Sequence, residues 1–139
     1  MPDHSGLSVL AAEDVSDSLE VEYLDMKIAD SQESSTFAAK LMYEENVDCI
    51  VTLGGDGTNR VVAKGCKNIP LIPISTGTNN VFPAPTEGTL AGIVAGSIAD
   101  NTLSIKESCN QSKKIDIFCN VKLTFIVSLI ENCSLFNEI

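Results

Sequence analysis

The stretch Cys49-Ile50-Val51-Thr52-Leu53-Gly54-Gly55-Asp56-Gly57-Thr58-Asn59-Arg60 decides the fold of this chain. It opens as a run of apolar and β-branched residues, the pattern of a buried strand. Three glycines then interrupt it around a single carboxylate. Glycine reaches backbone angles closed to other residues, and it has no side chain to hold a ligand off the backbone. Thr58 is placed to cap a helix that continues through Asn59, Arg60, Val61, Val62, Ala63 and Lys64. A strand, a glycine turn and a helix N-terminus together aim free N–H groups at one point, and such a point suits phosphate. The plainer alternative is an ordinary tight strand-to-helix turn, which a lone Gly-Gly would support equally well. Gly-Gly-Asp-Gly-Thr after a buried strand is more specific.

Upstream, residues 1–17 are small and polar, and residues 7–12 read as a weak strand or helix. Leu19, Val21 and Tyr23 alternate with Glu20, Glu22 and Leu24, which predicts a strand with one wet face near a sheet edge. Ser34 or Ser35 is placed to cap a helix from about residue 36 to residue 45, with Phe37, Ala38, Leu41 and Met42 as its buried stripe. Asn46 is suited to end that helix in a left-handed conformation.

Downstream, the helix after the glycine turn is short and stops near Gly65. Residues 69–74 predict another strand, with Pro70 and Pro73 at its start or on a sheet edge because proline donates no ladder bond. A polar loop follows: Ser75, Thr76, Gly77, Thr78, Asn79 and Asn80. Thr86 is placed to cap a helix to about residue 99, with Leu90, Ile93, Val94 and Ile98 facing inward. Gly88, Gly92 and Gly96, spaced by four, cost about 1 kcal/mol each relative to alanine in a helix, so they predict a flat face in tight contact. Residues 101–112 read as a linker. Ile115, Ile117 and Cys119 then alternate, as do Leu123, Phe125, Val127 and Leu129, which predicts a β-hairpin turning at Asn120-Val121.

The expected fold is therefore α/β. A three-layer nucleotide-binding domain with a parallel sheet occupies residues 18–100, and residues 113–131 open an antiparallel β domain. Two polar loops, residues 54–58 and 75–80, follow neighbouring parallel strands. In open α/β sheets ligands bind outside the carboxyl ends of the strands, so both loops are expected to face one site. The second loop offers hydroxyls and amides that suit a ribose, a base edge or phosphate oxygens.

Composition narrows the function classes. With 139 residues the chain is one ordinary domain, or one plus part of another. A hydrophobic content of 44% is enough for a packed core. A net charge of −10 argues against nucleic acid or anionic lipid as partners, but a nucleotide can still be held by Mg²⁺ and backbone N–H groups. The five cysteines form no Cys-x-x-Cys pair, which argues against a zinc site and suits a reducing cytoplasm. Cys49 and Cys119 read as core thiols. His4, the single histidine, lies in a polar tail, and no Ser/His/Asp or Cys/His arrangement can be assembled. No signal peptide or membrane span is expected.

Gly54-Gly55-Asp56-Gly57-Thr58 resembles the signature of the superfamily of ATP–NAD kinases, diacylglycerol and sphingosine kinases and, more distantly, phosphofructokinases. With Pro73-Ile74-Ser75-Thr76-Gly77-Thr78-Asn79-Asn80-Val81-Phe82-Pro83, the chain is most similar to ATP–NAD kinase-like proteins of the acetoin-catabolism protein X type. The resemblance covers roughly residues 21–99. It implies an ATP-dependent phosphotransferase with Mg²⁺, acting on a hydroxyl, with NAD as the family-level acceptor.

The resemblance assigns Asp56 to activating that hydroxyl or to holding Mg²⁺. The plainer reading of Asp56 is a helix cap. Gly54, Gly55, Gly57, Thr58, Asn59, Arg60, Thr76, Gly77, Thr78, Asn79 and Asn80 are the expected nucleotide-binding residues. A plain polar turn is the alternative for the second loop, and solvated charge is the alternative for Arg60 and Lys64. Gly77-Thr78-x-Asn80 resembles the diacylglycerol-kinase branch, which keeps a lipid kinase open as the alternative.

The resemblance also implies a strand and a glycine-rich segment ahead of Val21, and a larger β-rich second domain. Neither is found here, so the chain is expected to be a fragment that could bind nucleotide without turnover. The ending Phe136-Asn137-Glu138-Ile139 resembles the Asn-Glu pair of NAD kinases, and is read as coincidence. Exposed sheet edges are expected to favour self-association.

Overall fold

The computed structural model describes residues 6–15, 17–27, 32–119 and 122–129, with only the backbone of the strands beyond residue 112. His4, the Asn120-Val121 turn and residues 136–139 lie outside the described residues. The elements run α1 (Leu7–Val15), α2 (Gln32–Glu44), β1 (Ile50–Leu53), α3 (Asp56–Gly65), β2 (Leu71–Ile74), α4 (Gly88–Ala99), α5 (Ile105–Ser108), β3 (Lys113–Cys119) and β4 (Lys122–Leu129). The chain is α/β, with a small parallel sheet and packed helices.

β1 and β2 pair in parallel, with Ile50 opposite Leu71 and Leu53 opposite Ile74, so both strands end at one level. Neighbouring residues of a strand point to opposite faces. Accordingly, Ile50 packs with Ala39, Val62 and Cys66, and Leu71 lies against that cluster. Ile72 packs instead with Ala91, Val94 and Ile98 of α4, joined by Cys49 and Ile74. Each large aliphatic side chain buried this way contributes about 1.5–3 kcal/mol. α4 covers β2 but leaves Val51 and Leu53 of β1 exposed. β3 and β4 pair antiparallel, as the alternation predicts.

Several expectations are corrected. Residues 19–27 form no strand, and Leu19 and Tyr23 are exposed. Alternation alone does not make a strand; a ladder needs a partner, and the sheet of β1 contains only β2 among the described residues. Of the two forms expected near residues 7–12, the structure shows the helix, over Leu7–Val15, and a short helix interrupts the expected linker at Ile105–Ser108. α2 begins at Gln32, so Ser34 and Ser35 sit inside its first turn rather than capping it. Ala38 and Ala39 are its buried residues, while Phe37 faces outward. α2 and α3 lie so close that small side chains fill the interface: a Cβ on Gly65 would collide with the Thr36 carbonyl and reach 2.9 Å from Lys40 N. Asn46 does end α2 with a left-handed φ of 57°.

α4 is capped by Glu87, whose carboxylate accepts the Leu90 N–H at 3.1 Å, and not by Thr86. A Cβ on Gly88, Gly92 or Gly96 would meet nothing within 4 Å, so these glycines form no tight contact. Ala91 takes the inward position expected for Ile93, which is exposed. Pro70 precedes β2 and Pro73 lies within it, opposite Thr52. Among the described residues no helix is long and apolar enough to cross a membrane.

Candidate functional site

β1 and β2 hand the chain to the two polar loops at the same edge of the sheet. Gly54 closes the ladder, donating its N–H to the Ile74 carbonyl at 3.0 Å. α3 then starts at Asp56 with Gly55 as its N-cap, so Asp56 and Thr58 belong to the first helical turn and Thr58 is not the cap. The turn takes no left-handed angle at Gly54, Gly55 or Gly57. Glycine is needed for close approach instead. A Cβ on Gly54 would collide with the Thr58 side chain, and one on Gly55 would come 2.7 Å from Asn80 Oδ1.

The first N–H groups of a helix have no intrahelical partner. The Asp56 N–H donates to Asn80 Oδ1 at 3.3 Å, while those of Gly55, Gly57 and Thr58 have no partner among the described residues. They border a cavity of about 240 Å³ lined by Gln32, Ser35, Gly55, Gly57, Thr58 and Val61. That is below the roughly 300–1,000 Å³ of pockets that enclose a whole ligand. It suits a phosphate group better than a nucleoside.

Gln32 and Ser35 were not legible as site residues from their own neighbourhood. The signal lay in topology. Helices that precede or follow a strand and pack on the sheet run against it, so the N-termini of α2 and α3 gather at the carboxyl edge of β1. Both therefore present the positive ends of their dipoles to the same cavity. Arg60 does not line the cavity but reaches Gln32, which does. Its guanidinium approaches Gln32 Oε1 at 3.5 Å, and its Nε is buried without a hydrogen-bond partner. Lys64 is exposed on the far part of α3.

Asn59, expected to touch nucleotide, is placed elsewhere. It is 1% exposed and faces inward. Its amide donates to the Gly55 carbonyl at 3.0 Å, and its Oδ1 accepts the hydroxyl of buried Thr52 at 2.6 Å. The helical period puts Asn59 on the face of Val62 and Cys66, which was the available sign that it points to the core.

The second loop closes on itself. The Ser75 N–H donates to the Ala84 carbonyl at 2.8 Å, and Ile74 bridges Ala84. Inside the loop, Asn80 Nδ2 donates to Ser75 Oγ at 2.8 Å, and that hydroxyl donates to the Gly77 carbonyl at 3.0 Å. Asn79 holds a left-handed φ of 63°. Thr76, Gly77, Thr78 and Asn79 are exposed, whereas Asn80 turns toward the glycine turn. The Asp56 carboxylate reaches across to this loop. It accepts the Phe82 N–H at 2.8 Å and shares the Val81 N–H between its oxygens at 3.1 and 3.0 Å.

The chemistry of these groups fits an anion. Among the described residues no group of three or more His, Cys, Asp or Glu is placed to hold a metal ion. Asp56 alone, with its oxygens engaged by two N–H groups, does not build a site for a resident cation.

The sequence matches the ATP-NAD kinase N-terminal domain over residues 3–101. The chain belongs to this ATP-NAD kinase family. It is 35% identical over 124 residues to acetoin catabolism protein X of Cupriavidus necator, an alignment covering 84% of this chain and 34% of that protein. The chain thus spans about a third of the length of that relative. No solved structure matches it significantly. The match to the kinase domain includes both polar loops, Asp56 and the first turns of α2 and α3.

Proposed function

We propose that this chain is the nucleotide-binding part of an ATP-dependent phosphotransferase of the ATP–NAD kinase type. It would carry the terminal phosphoryl group of ATP to a hydroxyl, with NAD as the acceptor the family implies. The observation that supports this most is the cavity between the first turns of α2 and α3, bordered by the unpartnered N–H groups of Gly57 and Thr58. Phosphoryl transfer depends on positioning and on charge stabilisation, which such a cradle provides. The hydroxyls of Thr76 and Thr78 and the amide of Asn79 stand exposed in the loop that Asn80 ties to the glycine turn, and would serve the rest of the nucleotide. In this reading Mg²⁺ arrives with the triphosphate as part of the substrate. Asp56, where the two loops meet, has lone pairs left to accept the proton of the acceptor hydroxyl.

We extend the same reading to the fold. The two packing clusters on opposite faces of β1 and β2 support a three-layer domain, and the β3–β4 pair supports the opening of an antiparallel β domain. The exposed Val51 and Leu53 support self-association. Gly77-Thr78-x-Asn80 favours a second reading, a diacylglycerol-type lipid kinase, against which stands the net charge of −10.

The test is a phosphoryl-transfer assay with ATP, Mg²⁺ and NAD, run beside Asp56→Asn. NADP formation that the variant abolishes is the expected result. ATP binding without turnover would mark a nucleotide-binding part that needs further residues for chemistry. Absence of both would overturn the reading.

A further inference from the structure

Asp56 and Asn80 hold each other's loops in both directions. The Asp56 N–H donates to Asn80 Oδ1 at 3.3 Å, and the Asp56 carboxylate accepts the N–H groups of the two residues that follow Asn80. Asn80 passes the restraint on to Ser75, and Ser75 to Gly77, so one polar chain spans the loop from its start to Phe82. Phe82 is buried and anchors the far end, whereas Val81 is 86% exposed. Val81 therefore has almost no packing to fix its backbone, and the carboxylate is what orients its N–H. Hydrogen bonds to an ionised acceptor are about twice as strong as neutral ones.

We infer that Asp56 and Asn80 form a two-way clamp, and that Asp56 is a positioning residue which sets nucleotide affinity by holding residues 75–82 against the glycine turn. The effect on affinity rests on the nucleotide-binding reading; the clamp itself does not. The geometry separates this role from proton transfer. Oδ1 alone accepts both the Val81 and Phe82 N–H groups. An asparagine at position 56 keeps that oxygen, but it loses the charge, the basicity and the second acceptor of the Val81 N–H, toward which it turns an NH2 group.

The experiment measures amide hydrogen exchange of Val81 and Phe82 by NMR, together with ATP titration, in the full chain and in Asp56→Asn, Asp56→Ala, Asn80→Ala and the double alanine variant. Asp56→Ala and Asn80→Ala are each expected to speed exchange at Val81 by about tenfold or more. The double variant should be little worse than either single one, because the two residues act as one device. Asp56→Asn, which keeps the one oxygen that accepts both N–H groups, should speed exchange less than Asp56→Ala and keep more of the ATP affinity even where turnover is lost, whereas Asp56→Ala loses both the protection and the affinity. Wild-type exchange at Val81 and Phe82 in Asp56→Ala would overturn the clamp. Faster exchange with ATP affinity unchanged would overturn the positioning role. If the wild-type chain binds no ATP, the nucleotide reading fails, and the exchange rates still decide the clamp.

Discussion

Gly65→Ala is expected to destabilise this protein, although alanine is the better helix former. In an open helix the change adds about 0.5–1 kcal/mol of stability by restricting the unfolded chain and improving propensity. Gly65 is not in the open. A Cβ there would collide with the Thr36 carbonyl, reach 2.9 Å from Lys40 N and 3.1 Å from the Ala39 Cβ. The first two are backbone atoms of α2, which no rotamer change can move. α2 and α3 must separate, straining the Thr36 Oγ1 bond to the Val61 carbonyl, now 2.8 Å. Overpacking of this kind costs about 1–3 kcal/mol, which outweighs the propensity gain and leaves a net loss of about 1–2 kcal/mol. Gly92→Ala is the control, because it also lies within a helix and its Cβ meets nothing within 4 Å. It should gain about 0.5–1 kcal/mol. With an m-value near 2 kcal/mol/M, urea unfolding should show the Gly65→Ala midpoint about 0.5–1 M below wild type and the Gly92→Ala midpoint slightly above it. A Gly65→Ala midpoint at or above wild type would refute the close α2–α3 contact.

Thr52→Val leaves Asn59 Oδ1 buried without its donor and should cost about 1–3 kcal/mol in the same urea titration. Asn59→Ala should cost at least as much and should also disorder the turn, visible as faster amide exchange around Gly55. Hydrogen bonds from the Thr89 backbone and hydroxyl and from the Leu90 N–H hold the Glu87 carboxyl below the usual carboxylate range. Its stabilising effect is therefore complete above the ordinary Glu range and is lost as pH falls through the lowered value, so Leu90 amide protection should fade there and not in Glu87→Gln. Burial pushes the Cys66 thiol up, against a smaller pull from a backbone hydrogen bond, so alkylation at neutral pH should be far slower in the native protein than in urea.

The sequence made the glycine turn and its neighbours plain because their signals are local. Cys49 to Leu53 read as a strand, and a strand followed by glycines and a helix has few alternatives; its expected burial holds only on the face of Ile50 and Thr52, while Val51 and Leu53 are exposed. The β-hairpin was legible for the same reason, through its period of two. What escaped was long-range. The Asp56 carboxylate meets Val81 and Phe82, residues 25 and 26 positions away, and no spacing rule joins them. The strand expected at Leu19 to Leu24 had the right alternation, but pairing is decided by a neighbour and not by the segment itself. The glycines of α4 were misread because spacing by four marks a shared face without saying whether anything packs there. For Asn59, its place in the motif suggested ligand contact, while its helical phase with Val62 pointed to the core, where it lies.

The measurement that tests the central claim most directly is an NMR titration of the protein with ATP, following backbone amides. The account predicts that Gly55, Gly57 and Thr58 shift first and together with Gln32 and Ser35, and that Gly92 and Gly96 on α4 stay still. Binding that moves α4 and leaves the glycine turn unchanged would contradict it.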